Sequence, residues 1–401
     1  MLTDGALRML VLLHFHTLGF SPVQLAYLFV LYEIAGVITN VSAGWVAARF
    51  GLTSTLYAGL SLQVVALLAL TQLDPAWSMT ASVVFVMLVQ GLSGVAKDLA
   101  KMSSKSAVKI LAPATGGGLF RWVAILTGSK NAVKGSGFLL GAVLLAVFGF
   151  VPSVLTMAAA LFVILIGVVI YMPKGLPVGR KDAKFSEVFS KDRNINRLSA
   201  ARLFLFGARD VWFVVGIPIY FYAVLSDGTT ESNRMAFFMI GTFMAVWTIL
   251  YGIVQGSAPR ILKAASRSDP EILALAKCWV GLLIIVPAFL AGLVWLAPEP
   301  SYVLTATIVL GLLIFGGIFA INSALHSFLI LSLTDAKRVT MDVGFYYMAN
   351  AAGRLVGTVL SGFTYQVGGL SLCLGTAAVM IGLSWLGTSQ LKAPKADKVA
   401  T

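Results

Sequence analysis

The chain is 401 residues long, 59% hydrophobic and 11% charged, with a mean hydropathy of +0.92 and a net charge of +13. Soluble domains carry roughly 25% charged residues, so a soluble globular protein is excluded, as is a disordered chain, which needs low hydrophobicity. Two cysteines, Cys278 and Cys373, far apart in sequence, form no C-x-x-C pair, so neither a disulfide framework nor a thiolate metal site is expected.

Apolar runs of about 20 residues, enough at ~1.5 Å per residue to cross a ~30 Å hydrocarbon core, recur along the whole chain. They predict twelve membrane-spanning helices near 3–18, 23–48, 52–72, 78–96, 135–151, 153–172, 198–225, 235–255, 278–297, 302–325, 343–366 and 370–388. The first run is short, and Arg8, His14 and His16 interrupt it. No basic stretch precedes it and no small-residue cleavage site follows, so it does not read as a signal peptide. It reads as the lower part of a helix whose upstream half is absent from this sequence. His14 and His16 are roughly 200° apart around a helix and cannot share one ion. No metal site is expected, and no cofactor.

Six spans precede residue 173 and six follow 197. The expected organisation is therefore an N-terminal six-helix half (1–172), a cytoplasmic linker (173–197), a C-terminal six-helix half (198–391) and a cytoplasmic tail (392–401). The linker holds Pro173, Pro177 and seven basic residues, the sharpest compositional break in the chain. Two halves of this kind are expected of transporters built from parallel repeats. Faint echoes support it: Gly5-Ala6-Leu7-Arg8 resembles Gly207-Ala208-Arg209-Asp210, and Gly91, Lys97 and Lys101 match the spacing of Gly316, Asn322 and His326.

With the amino terminus inside, cytoplasmic segments hold 24 of the 29 Lys and Arg residues, outer loops hold Arg234, and four arginines lie within spans. That is the positive-inside bias. It accounts for the net charge as topology and leaves no need for a nucleic-acid partner. No G-x-x-x-x-G-K-[ST] occurs, so ATP drive within the chain is not expected.

Arg8, Arg202, Arg209 and Arg354 are the embedded arginines. An ionised side chain in a membrane is costly and faces a polar cavity or a partner. Arg202 and Arg209 are seven apart, hence on one face of the seventh span. A guanidinium matches carboxylate, phosphate or arsenate oxygens with a planar fork, so the pair, with Arg8 as its equivalent, predicts a basic clamp for an anion near the midplane. The competing reading is internal pairing: Asp4 with Arg8 at i, i+4, and Arg209 or Asp210 with a neighbouring helix. Lys97, Lys101, Lys105 and Lys109, spaced by four, form a ladder whose first two rungs could begin an anion-concentrating vestibule. The candidate substrate-binding residues are thus Arg8, Arg209, Arg202, Arg354, Lys97 and Lys101. Buried acids carry protons in many transporters, which makes Glu33, Asp210 and Asp4 the proton-coupling candidates; for Glu33 an ion pair with an arginine is the alternative. Ala349, Gly353, Gly357 and Ser361 form a small-residue stripe for close helix packing, as do Gly137 and Gly141.

Gly44-Trp45-Val46-Ala47-Ala48-Arg49-Phe50-Gly51 resembles the loop signature of the major facilitator superfamily, with Ala48 where that signature has an acid. Longer strings resemble one of its families, the organoarsenical efflux permeases: Thr3–Glu33, Gly91–Lys109, Leu119–Gly135, Leu205–Gly216 and Val339–Thr358. The resemblance runs from the first residues to about Leu391. It implies an all-α membrane protein of the major facilitator fold, sited in a bacterial inner membrane and working as a monomer. It further implies export of 1-arseno-3-phosphoglycerate, conferring arsenate resistance beside a glyceraldehyde-3-phosphate dehydrogenase that uses arsenate in place of phosphate. That dehydrogenase is a functional partner, and no binding residues carry over from the family. A transporter of another organic anion, an organophosphate or a carboxylate, would need the same arginines. A polytopic membrane enzyme would need a dense His/Asp/Glu cluster, which the sequence does not suggest.

Overall fold

The structure is a computed structural model that describes residues 1–50, 52–111, 118–172, 190–263, 267–297, 299–334 and 339–392. Side chains at 41, 43–45, 47–49, 52, 102–111, 118–128 and 339–341 are not described. The Gly44–Gly51 signature, the side chains of Lys105 and Lys109, most of the predicted linker and the tail beyond Lys392 therefore lie outside the described residues.

Among the described residues every regular element is a helix. They are α1 (Leu2–Thr17), α2 (Pro22–Tyr27), α3 (Val30–Phe50), α4 (Leu52–Leu70), α5 (Met79–Leu111), α6 (Gly118–Phe148) and α7 (Phe150–Tyr171), followed by α8 (Arg193–Phe213), α9 (Gly216–Leu225), α10 (Thr230–Ile261), α11 (Asp269–Leu296), α12 (Tyr302–Leu333) and α13 (Val339–Ser389). Ten stretches are long and apolar enough to cross a bilayer. Adding α1 and counting both limbs of α13 gives twelve.

Local chemistry sets the ends. α1 stops where Gly19 takes φ +84°, a conformation open to glycine. α2 starts on a capping box, the Ser21 hydroxyl accepting from Gln24 N–H while the Gln24 side chain accepts from Ser21 N–H. Ser268 and Glu271 do the same for α11. Outward faces are apolar: Val163 and Ile170 of α7 are 66% and 67% exposed, while Ser153 and Val154 on the same helix are fully buried. Such a face suits lipid, where no backbone donor can be left open and helices satisfy their own.

Several spans differ from expectation, the seventh, second and fourth among them. The seventh is two helices, α8 and α9. Pro218 has no N–H for the Val214 carbonyl, and Ser361 Oγ in α13 accepts from the N–H groups of Val215 (3.1 Å) and Gly216 (3.3 Å). The second is split into α2 and α3, with the Phe29 N–H turned to Ala26 O in a tighter three-residue turn. The fourth was expected to end at 96, but α5 continues to Leu111, so Lys97 and Lys101 lie within a helix that outruns its apolar stretch.

The chain forms two compact units: Met1–Ser186 with Leu225–Val246, and Glu187–Val224 with Trp247–Thr401. In the first, α1 lies along α6, α5 packs on α3 and α4, and α4 on α7. The α1–α6 contact is nearly backbone to backbone, since a Cβ on Gly141 would strike the Ala6 carbonyl and one on Gly5 would lie 2.5 Å from the Lys134 carbonyl. In the second, α13 bends back on itself at Gly368–Gly369, where Gly369 takes φ +60°. Both limbs then flank α8. Gly207 approaches Gly353 of one limb and Met380 of the other, and Gly216 meets Cys373 while its N–H reaches Ser361.

Candidate functional site

Each unit buries a cluster of charged side chains. In the first unit, α1's glycine-lined contact with α6 fixes its rotation and turns Asp4 and Arg8 toward α3. Arg8 Nη2 forms an ion pair with Glu33 Oε1, and its guanidinium stands 5.2 Å from the Phe29 ring centre and 5.0 Å from that of Tyr32. The Tyr32 hydroxyl donates to Asp4 Oδ1 and accepts from Lys97 Nζ at 2.7 Å. Lys97 and Lys101 flank Asp98, their Nζ atoms 3.8 and 3.6 Å from its Oδ1, while Thr39 donates to Oδ2 at 2.5 Å. Glu33, Asp98 and Asp4 are all buried.

The competing reading pairs Asp4 with Arg8 at i, i+4; in the structure Asp4 accepts from Tyr32 and Arg8 pairs with Glu33. Tyr32 and Glu33, adjacent on α3, supply a hydroxyl and a carboxylate opposite the two α1 residues, so each takes a cross-helix partner. Glu33 stands in an ion pair with Arg8.

In the second unit, Arg202 and Arg209 do share a face. Both stack on Phe206, between them on α8, at 3.9 and 5.0 Å from its centre. Their partners differ in kind. Arg202 is 4% exposed; its Nε donates to Asn350 Oδ1 (3.0 Å) and its Nη1 to the Ser323 carbonyl (3.1 Å), with the Tyr346 ring at 5.0 Å. All of these are neutral. Arg209 Nε donates to Asp210 Oδ1 at 2.6 Å, Nη2 lies 2.5 Å from the same oxygen, and the rings of Phe213 and Phe319 stand at 5.9 and 5.7 Å. Arg354 Nε on α13 lies 3.6 Å from Asp210 Oδ2, at ion-pair but not hydrogen-bond distance. The small-residue stripe makes this possible: a Cβ on Gly357 would sit 2.5 Å from the Gly207 carbonyl and 2.8 Å from Asp210 Cβ.

Thus Arg8 is joined to Glu33, Lys97 and Lys101 meet about Asp98, and Arg209 and Arg354 meet about Asp210, with Arg202 apart from any acid. Sequence reasoning missed Asp98, Tyr32, Asn350 and Phe206. Asp98 and Tyr32 each adjoin a flagged residue, a signal that adjacency could have raised. Asn350 gave none, because its partner is 148 residues away. At the positions echoing Lys97 and Lys101, Asn322 donates to the Trp279 and Ile318 carbonyls and His326 is buried beside the Thr388 hydroxyl at 3.4 Å.

Elsewhere, Asp227 serves its own loop: the Ser232 hydroxyl, then Thr229, hold its carboxyl down to about 2. Among the described residues no group of three or more His, Cys, Asp and Glu side chains is placed to hold a metal ion.

No family model matches the chain, and no curated protein matches it in sequence. Solved structures do share its fold. The nucleoside transporter NupG, in mutant form, is 17% identical with a TM-score of 0.70, over 97% of this chain and 95% of that one. A POT family transporter in complex with a thioalcohol-conjugated peptide is 12% identical with a TM-score of 0.74, over 96% and 93%. A bacterial homologue of the iron transporter ferroportin, in its inward-facing state, is 12% identical with a TM-score of 0.69, over 97% and 96%. At these identities the likeness reaches the fold and stops there. The chain is an all-α, multi-pass membrane protein with the fold of these transporter structures.

Proposed function

We propose that this protein is a secondary active transporter that carries an organic anion across the membrane. The observation that carries this reading is the gathering of Arg209 and Arg354 about Asp210 beside Arg202, whose described hydrogen-bond partners are neutral. Arg202 is stabilised there by dipoles and rings, without an opposing charge. Such an arrangement in a low-dielectric interior leaves a positive potential that an anion would neutralise. In the first unit Arg8, Lys97 and Lys101 lie among Glu33, Asp98 and Asp4.

The three dissimilar cargoes named for the similar structures, nucleoside, peptide and iron, show that this fold does not choose the substrate. The arginines and the resemblance to organoarsenical efflux permeases together favour 1-arseno-3-phosphoglycerate, whose phosphate and arsenate groups both suit guanidinium forks. In this reading Arg209 and Arg354 contact the anion and Arg202 sets the local potential, while Arg8, Lys97 and Lys101 are the anion-binding candidates within the first unit. The coupling proton is assigned to one of Glu33, Asp4 and Asp210. The site of action is a bacterial inner membrane, and the functional partner is a glyceraldehyde-3-phosphate dehydrogenase that makes the arsenylated product.

The test uses an arsenate-sensitive host lacking an arsenate-using dehydrogenase. Cells carry the transporter alone, the dehydrogenase alone, or both, and growth is scored on arsenate and on arsenite. Resistance to arsenate only with both, and none to arsenite, is expected. Arsenate resistance from the transporter alone would falsify the coupled scheme. No resistance in any arm, with vesicle uptake of an organophosphate or carboxylate, would assign a different organic anion.

A further inference from the structure

We infer that Asp210 is a tethered stand-in for the transported anion: its carboxylate occupies the guanidinium groups of Arg209 and Arg354, and an incoming anion must displace it. The inference deepens the proposed function and rests on that site taking an anion. Three observations carry it. First, Asp210 is the acid that both arginines face, with Arg209 Nε and Nη2 at 2.6 and 2.5 Å from Oδ1 and Arg354 Nε at 3.6 Å from Oδ2. Second, the carboxylate is 1% exposed, yet Oδ2 has no hydrogen bond, so half of its accepting capacity is unmet. A buried carboxylate built only for structure would have that oxygen satisfied. Third, the two cations come from different helices, α8 and α13, while the acid sits beside Arg209 on α8. The contact of Asp210 with Arg354 is the longer and weaker of the two, and is the first to yield to a competing anion.

The physical argument is one of effective concentration. A carboxylate fixed on the same helix faces Arg209 at millimolar concentration or higher, so a free anion binds only by outcompeting it. A phosphate or arsenate, with more charge and three oxygens, can do so by bridging both guanidinium groups. The returning carboxylate then favours release. Asp210 therefore lowers affinity and raises turnover, which a positioning residue for Arg209 would not do.

The experiment measures binding of 3-phosphoglycerate and of inorganic phosphate to the full chain in detergent, by titration calorimetry, with efflux rate from loaded vesicles as the second readout. Asp210→Asn is expected to tighten both affinities about ten-fold or more and to slow efflux. Asp342→Asn removes an equal charge from α13 twelve residues from Arg354, about 18 Å along the helix, and is expected to leave affinity within about two-fold, excluding a general charge effect. Should the Asn variant not fold, as judged by size exclusion, Asp210→Ser removes the same carboxylate with less volume. Weaker or unchanged binding in the folded variant, with wild type binding normally, overturns the inference and leaves the anion reading intact. Absence of binding in both wild type and variant overturns the anion reading and this inference with it. Binding by the variant alone would be the strongest support.

Discussion

Replacing Gly357 with alanine tests whether the contact between α8 and α13 is set by the absence of a side chain. The added Cβ would lie 2.5 Å from the Gly207 carbonyl oxygen and 2.8 Å from Asp210 Cβ, whereas ordinary contact begins at 3.4 Å. The helices must part by about 0.9 Å to restore that contact. Two effects then compete. Alanine favours a helix over glycine by ~0.8–1 kcal/mol, while forcing extra volume into a packed contact costs ~1–3 kcal/mol. The clash meets backbone, which cannot turn aside, so overpacking wins and a net loss of about 1–2 kcal/mol is expected. The same shift carries Arg354, three residues earlier, away from Asp210, lengthening a contact that is already 3.6 Å. Thermal unfolding in detergent with a thiol-reactive fluorophore reads the outcome, because Cys373 is buried and labels only on opening, while Cys278 is exposed and labels at the start. Gly382→Ala, on the other limb of α13 with nothing within 4 Å of its added Cβ, should raise the melting temperature. A Gly357→Ala protein melting at or above wild type would refute the reasoning.

Two further substitutions probe the clusters. Arg8→Gln removes the ion-pair partner of the buried Glu33 carboxylate and should destabilise by about 3 kcal/mol; adding Glu33→Gln should recover most of that in the same melt, and failure to recover would mean that Arg8 is not the main partner of Glu33. Arg209→Lys keeps the charge but loses the fork on Asp210, so vesicle transport should fall at least ten-fold with little change in melting. Arg202→Lys cannot reach both Asn350 and the Ser323 carbonyl, so it should lower the melting temperature by the loss of one charged hydrogen bond, about 1.5–3 kcal/mol, with a milder loss of transport. Equal, wild-type-like behaviour in both would remove these arginines from the mechanism.

The membrane-spanning pattern was legible because it depends on local hydrophobicity alone, and eleven of the twelve expected spans overlap ten long apolar stretches. The shared face of Arg202 and Arg209 was legible for the same reason, since helical periodicity fixes it. Partner choice was not. Whether Arg8 meets Asp4 on its own helix or Glu33 on another depends on the rotation of α1, and that follows from Gly5, Gly137 and Gly141 touching across a contact no local rule describes. Arg354 and Asp210 are likewise joined by packing between distant segments. The break between α8 and α9 was half legible: Pro218 announces it, but the Ser361 hydroxyl that satisfies the freed donors comes from α13.

The doubling back of α13 at Gly368–Gly369 has a consequence for synthesis. α8 emerges from the ribosome long before either of the limbs that enclose it, and Asn350, which holds Arg202, follows 148 residues later. Contacts so distant in sequence form late, and domains are completed in the order of their chain. Until the first limb has entered the bilayer Arg202 lacks Asn350, and until the second has, Gly207 lacks Met380 and the Ala201 carbonyl lacks the Ser384 hydroxyl. The second unit therefore matures only once the chain has been made as far as Ser389, and a chain stopped between Gly369 and Ser389 would be expected to reach the membrane and then be cleared by proteolysis, however intact its first unit.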